Sequence, residues 1–364
     1  MLFVVNLFRS EVNRIERVVV CPFPMFSMVC MMLRCSDKEG VLSLAPAGLY
    51  CPAGDFFVDP KGKVSRAVIT HAHSDHARPG HGSYLCSESC LPLLRVRLGQ
   101  AAKIESLPFG EKIRIGRACV SFHPAGHILG SAQVRIEVGG RVWVVSGDYK
   151  PQKDHTCEPF ELVECHGFVS ECTFGLPVYR WQPEEIVHAQ INAWWKENAQ
   201  RGNPTLIFAY SLGKAQRILA GLDPGIGPIR VHSAVFSFHE HYRNAGVTLP
   251  DVEVIGRSSG SDSSQSIIVA PPAVEDSGWT RKFKSCKRGF ASGWMAVRGP
   301  RRRRNLDRGF VLSDHADWSG LIKVITGTGA EEVVLTHGNG EALSRFLRER
   351  GINASQLGFE KEPE

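Results

Sequence analysis

The chain has 364 residues, of which 43% are hydrophobic and 22% charged, and it carries a formal net charge of +6. That length suits one large or two medium domains, and that composition is ordinary for a globular protein. Eleven cysteines, an odd number with no C-x-x-C pair, speak against a secreted disulfide scaffold and for reduced thiols in a cytoplasmic protein. The positive charge is local. Between residues 281 and 308, eleven Lys or Arg stand against one acid, Asp307, so this segment has an excess of +10 and the remainder carries −4. Such a segment leans toward a polyanionic partner.

At the amino terminus, residues 18–33 are apolar, but the run is 16 residues long and is interrupted by Pro22 and Pro24. It is too short and broken to span a bilayer well, and no membrane partner is expected. It starts late for a signal peptide and lacks a clear small-residue cleavage site. Five of the six methionines fall at or before Met32. Residues 1–44 are read as an extension arising from a start codon placed too early.

Beyond residue 45 the texture is that of a folded enzyme. Asp59 ends an extended stretch, and residues 64–70 read as a buried, β-branched strand. The strand empties into His71-Ala-His73-Ser-Asp75-His76, four ligand-type residues within six positions. Imidazoles and a carboxylate so close together suit zinc or a similar first-row metal, and their spacing asks for two ions. Cys86 and Cys90 could form a metal half-site, but no second half follows, so buried thiols are the preferred reading. Residues 89–99 look helical and 119–122 look like a strand. His127 then sits in a turn, and residues 133–138 and 141–145 flank Gly139-Gly140, a two-residue hairpin signal. Asp148 follows the second of these strands, and Glu171 follows a strand at 167–170. Strands that repeatedly end in His, Asp or Glu imply one edge where ligands converge.

Residues 175–300 read as a second α/β unit with a parallel sheet. Pro183 opens a helix with acids in its first turn, 205–210 is a strand, and Ser211 caps a helix carrying Lys214 and Arg217. Short strands follow at 229–232, 252–255 and 266–270, with an exposed Ser/Gly-rich loop at 257–266. In the basic segment, Trp279, Phe283, Phe290 and Trp294 are interleaved with cations. That pattern favours single-stranded nucleic acid, through stacking beside phosphate contacts, over a solvated basic face whose aromatics are core. Residues 309–312 and 332–335 are strands ending near His315 and His337, where the first unit is expected to resume.

With these residues assembled, the chain resembles the metallo-β-lactamase superfamily and, within it, the β-CASP nucleases. The run from His71 to His76 is similar to the H-x-H-x-D-H signature. His127 and Asp148 resemble the third and fourth motifs, and Asp59 the early structural aspartate. Glu171, His315 and His337 resemble the three motifs special to the β-CASP branch, although Asn339 stands where relatives often carry Glu after His-Gly. The phrases Gly48-Leu-Tyr-Cys-Pro-Ala-Gly54, Phe208-Ala-Tyr-Ser-Leu-Gly-Lys-Ala-Gln216 and Phe290-Ala-Ser-Gly-Trp-Met295 look like those of bacterial ligase-associated DNA damage response exonucleases.

The resemblance implies an α/β fold: an αββα sandwich over residues 45–174 and 301–364, interrupted by a β-CASP domain over 175–300. It implies two divalent ions, zinc first and manganese as the alternative. One would be held by His71, His73 and His127 and the other by Asp75, His76 and His337, with Asp148 between them. The implied function is a DNA exonuclease acting in repair beside an ATP-dependent DNA ligase and a helicase. It would work by attack of a hydroxide activated at two metals, which Asp75 would also orient. His315, held by Glu171, would protonate the leaving oxygen. Lys214, Arg298, Arg301, Arg302, Arg303 and Arg304 are the expected nucleic-acid contacts, with DNA favoured over RNA. An RNA-processing exo- or endoribonuclease of the same branch is the alternative. A thioesterase or lactamase is less favoured, having no use for the cation cluster or the Glu171/His315 pair.

Overall fold

A computed structural model describes residues 40–255, 264–283, 285–297, 299 and 306–357. Residues 1–39 of the expected extension therefore lie outside the described residues, as does most of the loop expected at 257–266.

The first sheet takes its six strands in chain order: β1 (Ser43–Ala45), β2 (Gly48–Cys51), β3 (Phe56–Val58), β4 (Arg66–Val68), β5 (Ser83–Ser87) and β6 (Ile104–Leu107). Helix α1 (Leu91–Leu98) joins the last two, close to its expected span. The second sheet begins as an antiparallel meander of β7 (Lys112–Ile115), β8 (Ala118–Pro124), β9 (Ala132–Val138) and β10 (Arg141–Val145). Gly139 and Gly140 make the expected hairpin, both at positive φ, 57° and 81°, which matches the twist of a two-residue turn. Strand β11 (Gly167–Glu171) then joins β10 in parallel.

Next come α2 (Glu184–Gln200), β12 (Thr205–Phe208), α3 (Lys214–Ala220), β13 (Ile229–Val231), α4 (Ser233–Asn244), β14 (Glu253–Val254), β15 (Ile267–Ala270), β16 (Lys287–Ala291) and β17 (Arg308–Phe310). Their strands form a third sheet, ordered β14-β13-β15-β12-β16-β17, in which every pairing is parallel. The alternation of strand and helix is the expected one, but two details differ. Helix α3 starts at Lys214 behind Gly213 rather than at a Ser211 cap. Gly213 has φ 86°, and a Cβ there would lie 2.2 Å from Ile128 Cγ2, so close approach to the neighbouring loop decides the turn. Strand β17 was expected to open the resumed first unit, yet it pairs with β16, so the third sheet runs on to Phe310. The chain returns to the second sheet with α5 (Trp318–Gly327), β18 (Glu332–Thr336), α6 (Glu341–Arg348) and β19 (Asn353–Gln356), and β18 lies between β11 and β19.

The period-two alternation of strand side chains makes the layers. Along β10, Trp143 and Val145 point into the space between the sheets with Val68, Phe122 and Val169. Val142 and Val144 point the other way, where Leu321, Val324, Leu343 and Leu347 of α5 and α6 cover them. Leu93 and Leu94 of α1 cover the outer face of the first sheet, completing an αββα sandwich. That same core continues through Ile191, Trp195, Ile218, Val235 and Val269 of the third unit. Each fully buried Leu or Ile contributes roughly 1.5–3 kcal/mol, so a shared core fixes the third sheet against the sandwich. Among the described residues no helix is long and apolar enough to cross a membrane.

Candidate metal centre

Register brings the expected residues to one edge. Strands β10, β11 and β18 run parallel, with Val145 opposite Val169 and Glu171 opposite Thr336. Asp148, Glu171 and His337 therefore leave the second sheet at the same end. The loop after β4 supplies His71, His73 and His76, the β8–β9 connection supplies His127, and the segment after β17 supplies Asp314 and His315. Gly147 permits the approach of the two sheets here: its φ is 56°, and a Cβ would lie 2.7 Å from Thr70 Cβ.

Donor atoms converge at this edge. Those of His71, His73, His127 and Asp148 lie within 4.8 Å of one another, and so do those of His76, Asp148 and His337. Asp148 belongs to both groups, with Oδ2 at 3.4, 3.5 and 3.7 Å from the Nε2 atoms of His76, His71 and His127. His76 and His337 stack with ring centroids 4.9 Å apart. Asp75 was expected in the second group. Its carboxylate comes to 3.8 Å from His76 Nε2, but its side chain is 63% exposed and stands at the rim.

The outward nitrogens are fixed by partners, and this decides which nitrogens face inward. His127 Nδ1 donates to the Asp314 carbonyl at 2.7 Å. His76 Nδ1 donates to Asp59 Oδ2 at 2.7 Å. Thr70 Oγ1 donates to the same oxygen at 2.5 Å and so accepts from His71 Nδ1 at 3.0 Å. Asp59 thereby orients two histidines, one directly and one through Thr70, and each ring turns Nε2 toward Asp148.

Electrostatics completes the picture. Burial holds His71, His73 and His127 below the usual histidine range, against the pull of Asp148 and Asp314, so they stay neutral with free lone pairs. Burial resists charge on His76 too, but Asp148 and Asp59 overcome it and raise its pKa well above the ordinary value. Burial likewise opposes charge on Asp148, yet His76 and His315 hold it well below the carboxylate range. Asp148 Oδ1 is buried without a hydrogen-bond partner. Neutral imidazoles, an ionised carboxylate and an unpartnered buried oxygen fit divalent metal ions. Replacing Asp59 with Ala is expected to lower metal affinity about 10–100-fold, the usual effect of losing an outer orienting partner. Titration with a competing chelator measures it, and unchanged affinity would remove Asp59 from this role.

No family model matches the chain. It is 31% identical over 320 residues to a probable DNA ligase of Opitutus terrae, a match covering 87% of this chain and 31% of that protein. It is 28% identical over 191 residues to a ribonuclease of Thermus thermophilus, covering 45% of this chain and 44% of the relative. The chain therefore spans less than half the length of either. Its fold matches that of a protein of unknown function from Enterococcus faecalis, with a TM-score of 0.57 at 13% identity over 81% of this chain and 79% of that one. These likenesses agree with the resemblance of the motifs to the β-CASP branch of the metallo-β-lactamase superfamily.

The pair Glu171 and His315 lies beside the histidine cluster. Glu171 is fully buried, and its carboxylate accepts from Tyr149 N at 2.8 Å and from His315 Nδ1 at 2.9–3.0 Å. Burial works against a charged His315, but Glu171 and Asp148 outweigh it, and its pKa is pushed up to about 9. The ring lies 4.7 Å from that of His127.

The third unit reaches into the site with two cations. Lys214, expected as a nucleic-acid contact, is 3% exposed and paired with Asp314 at 2.9 Å, so its charge is already engaged on the cavity wall. Arg217 is 1% exposed and pairs with Asp154 and Glu184. It donates to the carbonyls of Ser313 at 2.7 Å and His127 at 3.2 Å, tying together two loops of the site. Sequence reasoning missed Asp314, Asp154 and this role of Arg217. Arg298, Arg301, Arg302, Arg303 and Arg304 lie outside the described residues. A cavity of about 740 Å³ opens at the cluster, lined from the sandwich by His73, Asp148 and His337 and from the third unit by Tyr210, Lys214 and Trp294.

Proposed function

We propose that the chain hydrolyses phosphodiester bonds of nucleic acid, with DNA the first-choice substrate. The observation that carries this reading is the convergence of neutral imidazoles on Asp148 beside a carboxylate-held histidine, all opening into one cavity. In this reading His71, His73 and His127 would hold one ion and His76 and His337 the other, with Asp75 at the rim of the second group and Asp148 a donor common to both. Zinc comes before manganese because imidazoles predominate. Two ions so held would supply positive charge near the phosphoryl oxygens and a nucleophilic water at neutral pH.

The chain's own residues supply the rest. Asp59 and the Asp314 carbonyl keep the ring nitrogens aimed inward. Glu171 fixes Nδ1 of His315, which leaves the other ring nitrogen to give its proton to the departing sugar oxygen. Replacing His315 with Ala is then expected to keep the metal content and slow turnover about 10²–10⁴-fold. Elemental analysis beside single-turnover rates checks this, and metal loss would make His315 a ligand instead.

DNA is supported by the relative named a probable DNA ligase, of which a segment like this chain forms 31%. Partnership with an ATP-dependent ligase and a helicase in repair, and an exonucleolytic mode, belong to the same proposal. The ribonuclease relative supports RNA processing as the second reading. A cytoplasmic location is also part of the proposal, supported by eight free cysteines among the described residues. So is the division into a sandwich over 45–174 and 301–364 with an insert over 175–300, although the third sheet ends at Phe310. An end-labelled cleavage assay on single-stranded DNA and RNA, with zinc or manganese, tests the reading. Stepwise shortening of DNA supports it. Preferential cutting of RNA moves the protein to the second reading, and no cutting of either by metal-loaded protein overturns both.

A further inference from the structure

One wall of the cavity is aromatic. Trp294 and Tyr210 are 44% and 56% exposed, and both line the same cavity as His73, Asp148 and His315. They follow neighbouring parallel strands: Phe208 of β12 is in register with Phe290 of β16, and Tyr210 and Trp294 lie two and four residues further on. The other aromatics of the basic segment have a different fate, since Phe283 and Phe290 are core.

Trp294 is held firmly for so exposed a residue. It sits in the short turn Gly293–Ala296, and its backbone N–H donates to Ser292 Oγ at 3.3 Å. Phe174 packs against the indole with ring centroids 4.9 Å apart, and Tyr179 meets it edge-on at 5.7 Å. Gly293 makes room for this support, because a Cβ there would lie 2.4 Å from Phe174 Cζ. Large apolar surface of this kind is normally buried, and fixing it open beside a polar site is the arrangement of a ligand platform. Lys214 Nζ, paired with Asp314, lies 4.9 Å from the Tyr210 ring centroid and packs against that ring.

We propose that Trp294 and Tyr210 form a stacking platform for the unpaired bases of a single-stranded nucleic acid whose phosphates face the histidine cluster. The platform rests on the phosphodiesterase reading above and specifies its substrate. Every base has a π-face that such rings can take without regard to sequence. A base inside a duplex has both faces occupied by its neighbours and offers neither ring a surface. The platform therefore selects single strands or frayed ends.

The test is binding to metal-stripped protein, which separates the platform from catalysis. Two fluorescent probes of equal length and charge are used, a ten-nucleotide oligodeoxythymidylate and its abasic counterpart, read by anisotropy. The wild type is expected to bind the base-bearing probe on the order of tenfold tighter than the abasic one, or more. Trp294→Ala and Tyr210→Ala each shrink that ratio without weakening the abasic probe, and Trp294→Phe keeps most of it. A wild-type ratio in both alanine variants, with circular dichroism showing them folded, overturns the platform and leaves the nuclease reading standing. A wild type that takes up metal but binds neither probe overturns the platform and the nucleic-acid reading together.

Discussion

The Asp148→Asn protein is expected to hold neither ion tightly and to lose cleavage. Asp148 is the one residue common to both donor groups that would hold the ions, and its Oδ2 lies 3.4–3.7 Å from three imidazole nitrogens. An amide keeps the shape but removes the negative charge and places hydrogen-bond donors among lone pairs. Losing an outer partner costs about 10–100-fold in metal affinity. A ligand shared by two ions should cost more, and cleavage should fall on the order of 10³-fold. Metal content after dialysis and single-turnover rates measure both. Wild-type metal content would contradict the shared role.

The second large effect lies away from the metals. Replacing Arg217 with Ala is expected to destabilise the fold by about 3–5 kcal/mol, because it strands a buried carboxylate. Asp154 is also nearly fully buried. The His127 and Ser313 carbonyls lose their donor as well, so the two loops they belong to should loosen and activity should fall with stability. Thermal unfolding of the metal-free protein measures this, with a drop in Tm of roughly 5–15 °C. Arg217→Lys retains charge without the planar fork and should recover only part. The double change Arg217→Met with Asp154→Leu should be milder than Arg217→Ala alone, since it removes both charges together. A single variant that melts within 2 °C of wild type, as a rough threshold, would show that the latch carries little.

These two residues differ in how far the sequence discloses them. Asp148 is legible because it follows a strand, as His71, Glu171 and His337 do, and chemistry at successive strand ends implies a common edge. Arg217 is not, because a cation on a helix reads as solvated, and its burial depends on Asp154 and Ser313, distant in sequence. Lys214 misleads for the same reason: its partner Asp314 is 100 residues on. Strand β17 is only three residues long, and its sheet is set by pairing with β16 rather than by its own pattern. Aromatics interleaved with cations cannot reveal that Phe290 turns inward while Trp294 stays open. The αββα sandwich is the more legible part, because its strands alternate or run apolar over several residues and are punctuated by glycines.

Two divalent ions are proposed to bind at this edge. Metal counted per chain by elemental analysis, after loading with zinc or manganese and exhaustive dialysis, tests this. Two ions per wild-type chain, falling to none after the same dialysis in Asp148→Asn, is the predicted result. A wild-type chain that retains none, while folded and monodisperse, would contradict it.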